Sequence, residues 1–246
     1  MSEDVLSTTE ADQTVIEHVS ELRKVLLISG GVFVLVFCLS LFTLPKIVPF
    51  LTRGYDVVLL GPQDVIRFYA GVAGVLGIAL TLPVLSYLLW RFIKPALTQT
   101  ESRVALTYIP FIFISFAVGV AFGYFTVFPI VFHFLMNLGE MSFKMVVTAR
   151  QYFSFLMTLT LALGLLFELP MTMMFLTSLG LVSPTKLKKM RKSAYLILAI
   201  ISAIMTPPDF ISQLIVLVPL VFLYELGVVL STVSFKKKLK RELQLT

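Results

Sequence analysis

The chain has 246 residues, 58% of them hydrophobic and only 14% charged, with a mean hydropathy of +0.95 and 22 phenylalanines. Soluble domains are about 45–50% apolar and about 25% charged, so this composition excludes one and leaves a single membrane domain, 1–246. The net charge of +6 reflects loop bias, and no interleaved basic and aromatic surface points to nucleic acid. The one cysteine, Cys38, excludes an intrachain disulfide. Two distant histidines, His18 and His133, with no CxxC or HExxH, leave no basis for a metal site or a cofactor.

Residues 1–24 carry six acids, Glu3, Asp4, Glu10, Asp12, Glu17 and Glu21. That charge is wrong for a cleavable signal peptide, so the first apolar run is predicted to stay in the membrane. Thr14-Val15-Ile16-Glu17 fits a capping box and predicts a helix beginning there. Val15, Val19 and Leu22 share one face of it, and Glu17 and Glu21 another. The segment 1–24 reads as a cytoplasmic amphipathic helix that runs into the first span.

A crossing needs about 20 apolar residues. Charge-free runs at 25–44 and 68–90 meet that length. The third span, 104–132, lies in an uncharged run that continues to 139, with Pro110 and Pro129 near its ends. The fourth, 152–179, holds Glu168, the only charge between Arg150 and Lys186. A carboxylate there costs about 2.5–3.5 kcal/mol on insertion scales, which makes Glu168 a functional candidate facing the interior or a water-filled cavity. The bland alternative is a protonated glutamic acid that only fixes helix packing. The fifth run, 193–206, has 14 residues, or about 21 Å of helix against a core of about 30 Å. Thr206-Pro207-Pro208-Asp209 then breaks the helix and can cap the next. The sixth, 211–233, contains Glu225 and is also read as short. The last pair reads equally as two short spans or one re-entrant hairpin. The predicted fold is all-α, a polytopic membrane protein with six transmembrane helices.

Charge bias orients it. With a cytoplasmic N-terminus, only Lys46, Arg53, Arg67, Lys144 and Arg150 fall outside, and the other 15 of the 20 Lys and Arg fall inside. The positive-inside rule therefore predicts both termini, including the basic tail 236–246, in the cytoplasm. Two further loops carry helix signals. Pro95 should disrupt the helix near Lys94, and Thr98-Gln99-Thr100-Glu101 fits a capping box. Ser183-Pro184 is an N-cap followed by proline at the first helical position. The lysines after it are explained by topology.

Several motifs together are more specific than any alone. They are His18-Val19-Ser20-Glu21-Leu22-Arg23, and Trp90-Arg91-Phe92-Ile93-Lys94-Pro95-Ala96-Leu97 with Glu101 and Arg103. Phe122-Gly123-Tyr124-Phe125 with Phe128-Pro129 and Phe167-Glu168-Leu169-Pro170 follow. Thr206-Pro207-Pro208-Asp209 with Ser212-Gln213, and Tyr224-Glu225, complete the set. In this order the chain resembles TatC, the multispanning receptor subunit of the twin-arginine protein translocase. The resemblance implies a cup-shaped arrangement of six helices in a prokaryotic cytoplasmic membrane. It implies a non-enzymatic protein that binds signal peptides with two consecutive arginines and assembles with small single-span subunits. Homo- and hetero-oligomers, and export of folded proteins driven by the proton-motive force, are also implied.

Two guanidiniums call for carboxylates, ideally bidentate. The family's signal-peptide site matches Glu21 and Glu101, with Phe92 and Pro95 shaping it and Arg23 orienting the acids. Glu168 and Glu225 are the intramembrane polar candidates, and Pro49 and Asp209, in outer loops, are weaker structural or partner-contact candidates. A proton-coupled small-solute transporter using Glu168 is the competing class. The absence of a convincing internal repeat counts against it. A membrane-embedded enzyme finds no nucleophile partner for His133.

Overall fold

The computed structural model describes the backbone of residues 2–52, 55, 57–94, 99–141 and 145–243, and the side chains from residue 20 onward except 53, 54, 56, 83, 93, 95–109, 142–144, 238 and 240–246. The described chain is nearly all helix: α1 Ser2–Thr52, α2 Pro62–Ile93, α3 Gln99–Phe122, α4 Phe128–Glu140, α5 Ala149–Leu166, α6 Leu169–Ser178, α7 Pro184–Lys189, α8 Arg191–Met205 and α9 Phe210–Leu243. Five helical stretches are long and apolar enough to cross a membrane: Ser20–Thr52, Pro62–Leu82, Pro110–Glu140, Ala149–Ser178 and Phe210–Lys237. Large apolar side chains such as Leu35, Phe42, Ile204 and Phe222 face outward. That inverts the soluble pattern and suits a lipid solvent.

Helix α1 departs from the expected start. It begins at Ser2 rather than Thr14 and runs 51 residues without a break. The first glycine is Gly30 and the first proline Pro45, and the acids near its start complement the positive end of the helix dipole. Pro49 is not in a loop as expected. It lies in the last turns of α1, four residues after Pro45. The free carbonyls at this helix end are taken by tyrosines of other spans. The Tyr124 hydroxyl donates to Phe50 O at 2.5 Å and the Tyr152 hydroxyl to Leu51 O at 3.0 Å. Val58 N donates to Val147 O at 3.0 Å and Ala149 N to Val58 O at 2.9 Å, so the two loops at this end are pinned together. A buried aromatic cluster of Phe68, Phe128, Phe132, Tyr152 and Phe153 lies beneath them.

The third span is α3 and α4 joined through a π-helical turn, Gly123–Val127. Pro129 has no N–H and its ring would clash with a carbonyl four residues back. The wider turn absorbs this, and Phe128 N bonds Gly123 O, five residues away. Small residues bring α3 onto α5. A Cβ on Gly119 would lie 2.8 Å from the Gly164 Cα, and one on Gly123 3.0 Å from the Thr160 Cα. Such close backbone approach is how helices associate where lipid removes the hydrophobic incentive.

The fourth span is not one continuous helix. It breaks at Phe167-Glu168 between α5 and α6 because Pro170 cannot donate back along the helix. Helix α6 ends at Gly180, whose φ of 80° is the left-handed cap glycine tolerates. The Ser183 side chain then accepts from Lys186 N at 3.3 Å and starts α7, as its sequence predicts.

Helices α1 and α2 pack together, and α2 packs on α3 and α5. Helix α3 packs on α5 and α6, α6 on α9, and α9 on α8. Of the last two helices only α8 is short, at 15 residues. Helix α9 has 34 residues, because the apolar run passes into the basic 236–246 segment without a helix breaker. A second core of Leu159, Leu163, Met173, Leu220 and Val228 unites α5, α6 and α9.

Candidate functional site

The motif residues fall into three groups. The first lies where α1 and α2 pass each other near residues 20 and 92. Phe33 lies where a Cβ on Gly77 would touch it, at 2.8 Å. The two helices run antiparallel, so that pairing sets Glu21 level with about residue 89. Phe92 is then about 4.5 Å further along the axis at 1.5 Å per residue. Glu21 and Arg23 are exposed and form no ion pair among the described residues. Phe92 occupies the last turn of α2. The Lys94 ammonium sits 5.3 Å from the Trp90 ring centroid, a cation–π contact one turn back along the helix end. Pro95 lies outside the described residues. Glu101 is in the first turn of α3, and its side chain lies outside them too.

The second group surrounds Glu168, half-buried at the α5–α6 break. Along the helix axis it is about 29 Å from Ala149 and about 15 Å from Ser178. The Ser115 hydroxyl donates to Phe167 O at 2.6 Å, so α3 satisfies one carbonyl of the break. Phe122 and Phe167 rings pack at 5.5 Å. The Glu168 carboxyl lies against the backbone of Phe116, yet neither oxygen has a hydrogen bond of normal geometry. A carboxyl in this setting needs water, a proton or an incoming donor to be satisfied.

The third group is on α8 and α9. Arg191 Nη2 donates to Glu225 Oε2 and the Tyr195 hydroxyl to Glu225 Oε1, both at 2.5 Å. Next door the Tyr224 hydroxyl donates to Leu187 O at 2.8 Å. Glu225 is thus a paired acid that staples α8 to α9, while Tyr224 beside it ties α7 to α9. Arg191 and Tyr195 were missed in the sequence, where Arg191 merged with the lysine cluster. The hint was that an acid 34 residues from an arginine can only pair through a helical hairpin. Asp209 is the N-cap of α9: its Oδ1 accepts from Ser212 N at 2.7 Å. Gln213 Nε2 donates to Ala199 O at 3.2 Å and ties α9 back to α8.

Among the described residues no group of three His, Cys, Asp or Glu could hold a metal ion. The fold and these three groups define a multi-pass α-helical membrane protein with one unpartnered intramembrane carboxyl. Comparison with known proteins narrows this class. The family model for Sec-independent protein translocase protein (TatC) matches residues 17–219. TatCd of Bacillus subtilis is 42% identical over 229 residues, covering 92% of this chain and 95% of that protein. TatCy of the same organism is 37% identical over 233 residues, covering 92% of each. Among solved structures, a crystal structure of the twin arginine translocase receptor TatC superimposes with a TM-score of 0.78 at 28% identity, covering 88% of this chain and 99% of that one. The chain belongs to the TatC family of Sec-independent protein translocase proteins.

Proposed function

We propose that this chain is the receptor and core subunit of a twin-arginine translocase, and that it binds signal peptides at the end bearing Glu21, Phe92, Pro95 and Glu101. The observation that carries this reading is the likeness, over 88% of the chain, to a protein solved as the twin arginine translocase receptor. The chemistry supports the site. A paired-arginine peptide presents two planar forks, which carboxylates can accept bidentately and which a lysine pair cannot match. Glu21 and Glu101 supply the acceptors, Phe92 an aromatic surface, and Arg23 orients the acids.

In this reading both termini are cytoplasmic, in keeping with the excess of Lys and Arg on that side. Helix α8 is a sixth crossing. Its 15 residues give about 22 Å of helix, so the bilayer thins around it. The protein carries out no covalent chemistry. Small single-span subunits join it, in homo- and hetero-oligomers, to move folded cargo across the cytoplasmic membrane with the proton-motive force. Glu168 draws water or a partner's donor into the apolar interior.

The test is affinity of the purified protein for a fluorescent twin-arginine signal peptide. Replacing both arginines by lysine, or making Glu101→Ala or Glu21→Ala, is expected to weaken binding about tenfold or more. Equal affinity across all these variants would remove the site assignment.

A further inference from the structure

A cavity of about 360 Å³ opens between the first turns of α5 and the end of α8. Its α5 wall carries Arg150, Gln151, Ser154 and Thr158 beside one aromatic ring, Phe155; Ile204 and Met205, followed by Thr206 and Pro207, form a mainly apolar wall across from it. Arg150 is the second residue of its span, which sets it at headgroup level. Thr158 lies about 12 Å deeper along the helix, within the hydrocarbon layer.

The hydroxyls in this wall behave differently from others in the spans. Thr160 bonds back to Leu156 O, Thr177 to Met173 O and Thr232 to Val228 O, each at 2.8 Å. Those groups are satisfied by their own helices. Ser154 and Thr158 are exposed and make no such bond among the described residues, and Arg150 has no ion pair there. The Gln151 carbonyl accepts from Thr148 Oγ1 at 3.0 Å, which leaves its amide N–H groups for another acceptor. Polar groups at this depth are costly unless something polar meets them.

A cation and amide donors at the mouth, hydroxyls below, and an apolar wall facing them match an anionic amphiphile standing upright in the membrane. We infer that this cavity binds the headgroup of an anionic glycerophospholipid, with the phosphate on Arg150 and Gln151. The glycerol ester oxygens meet Ser154, about 6 Å below Arg150, and an acyl chain runs past Thr158 along Ile204 and Met205. The site is separate from Glu21, Phe92 and Glu101, and stands whether or not the receptor reading holds.

Native mass spectrometry of the whole protein, released from mixed phosphatidylglycerol and phosphatidylcholine micelles, reads this directly. The wild type is expected to retain phosphatidylglycerol about tenfold over phosphatidylcholine. Arg150→Gln should abolish that preference, Arg150→Lys should keep most of it, and Ser154→Val should lower retention of both lipids. Arg150 is exposed, so these variants fold, and circular dichroism checks it. Inorganic phosphate and glycerol 3-phosphate form separate arms. Full occupancy by either at millimolar concentration would make this a free-phosphate site and overturn the lipid assignment. No preference in the wild type, or an unchanged one in Arg150→Gln, would overturn it too and leave a pocket holding roughly a dozen waters.

Discussion

Glu168 and Glu225 look alike in the sequence, each a lone acid in an apolar run, yet their surroundings are opposite. Glu225 has both oxygens engaged, by Arg191 and by Tyr195, and it holds the α8 end of the molecule together. Glu168 has neither oxygen engaged and sits where the helix is already broken. An intramembrane acid is therefore structural where the fold supplies a cation, and available for other work where it does not. The lesson concerns partners rather than depth, because both residues lie well inside their spans.

The strongest way to disturb the Glu168 side is to separate α3 from the α5–α6 break. Gly119→Val puts carbon where a Cβ already falls 2.7 Å from the Phe167 Cβ and 2.8 Å from backbone. It should destabilise by about 3 kcal/mol, or prevent folding, as read by thermal unfolding in detergent. On the other side, Glu225→Ala leaves a guanidinium and a tyrosine hydroxyl without their acceptor and should cost about 2 kcal/mol. The double variant Arg191→Met with Glu225→Leu should recover about half of that, since each partner is costly chiefly when left alone. Additive losses would mean the pair is not coupled.

Smaller effects sharpen the contrast. Asp209→Ala removes the cap of α9 and should cost about 1 kcal/mol, while Asp209→Asn keeps most of the stability. Glu168→Gln should leave the unfolding free energy within about 0.5 kcal/mol of wild type, because no hydrogen-bond partner is lost. If it destabilises as much as Glu225→Ala, the two acids are equivalent and the comparison fails. Transport of a twin-arginine precursor in membranes should fall with Glu168→Gln despite that intact stability.

Much of this was legible in the sequence, and what was hidden has a common cause. Apolar run length, prolines and Lys/Arg bias announced the helices, the stop before Pro95 and the caps at Ser183 and Asp209. The start of α1 was misread because a capping box inside a strong helix former is only a local preference, and continued helix outweighs it. The break at Glu168 was signalled by Pro170 but read as part of one span. Pro49 was assigned to a loop because nothing local shows that Tyr124 and Tyr152, from distant spans, complete the end of its helix. The π turn at Gly123–Val127 and the Arg191 partner of Glu225 likewise depend on which helices become neighbours. Family motifs named Glu21, Phe92 and Glu101 without that knowledge; of these, Glu21 is exposed and Phe92 half-buried.

The central claim is that paired arginines are read at the α1–α2 end of the molecule. The most direct measurement is photocrosslinking from a probe at Phe92 to a radiolabelled twin-arginine precursor, with the same precursor carrying two lysines as control. The account predicts a crosslink to the arginine form alone, lost again with Glu101→Ala. Equal crosslinking of both precursors, or of neither in membranes where the protein is folded, would contradict it.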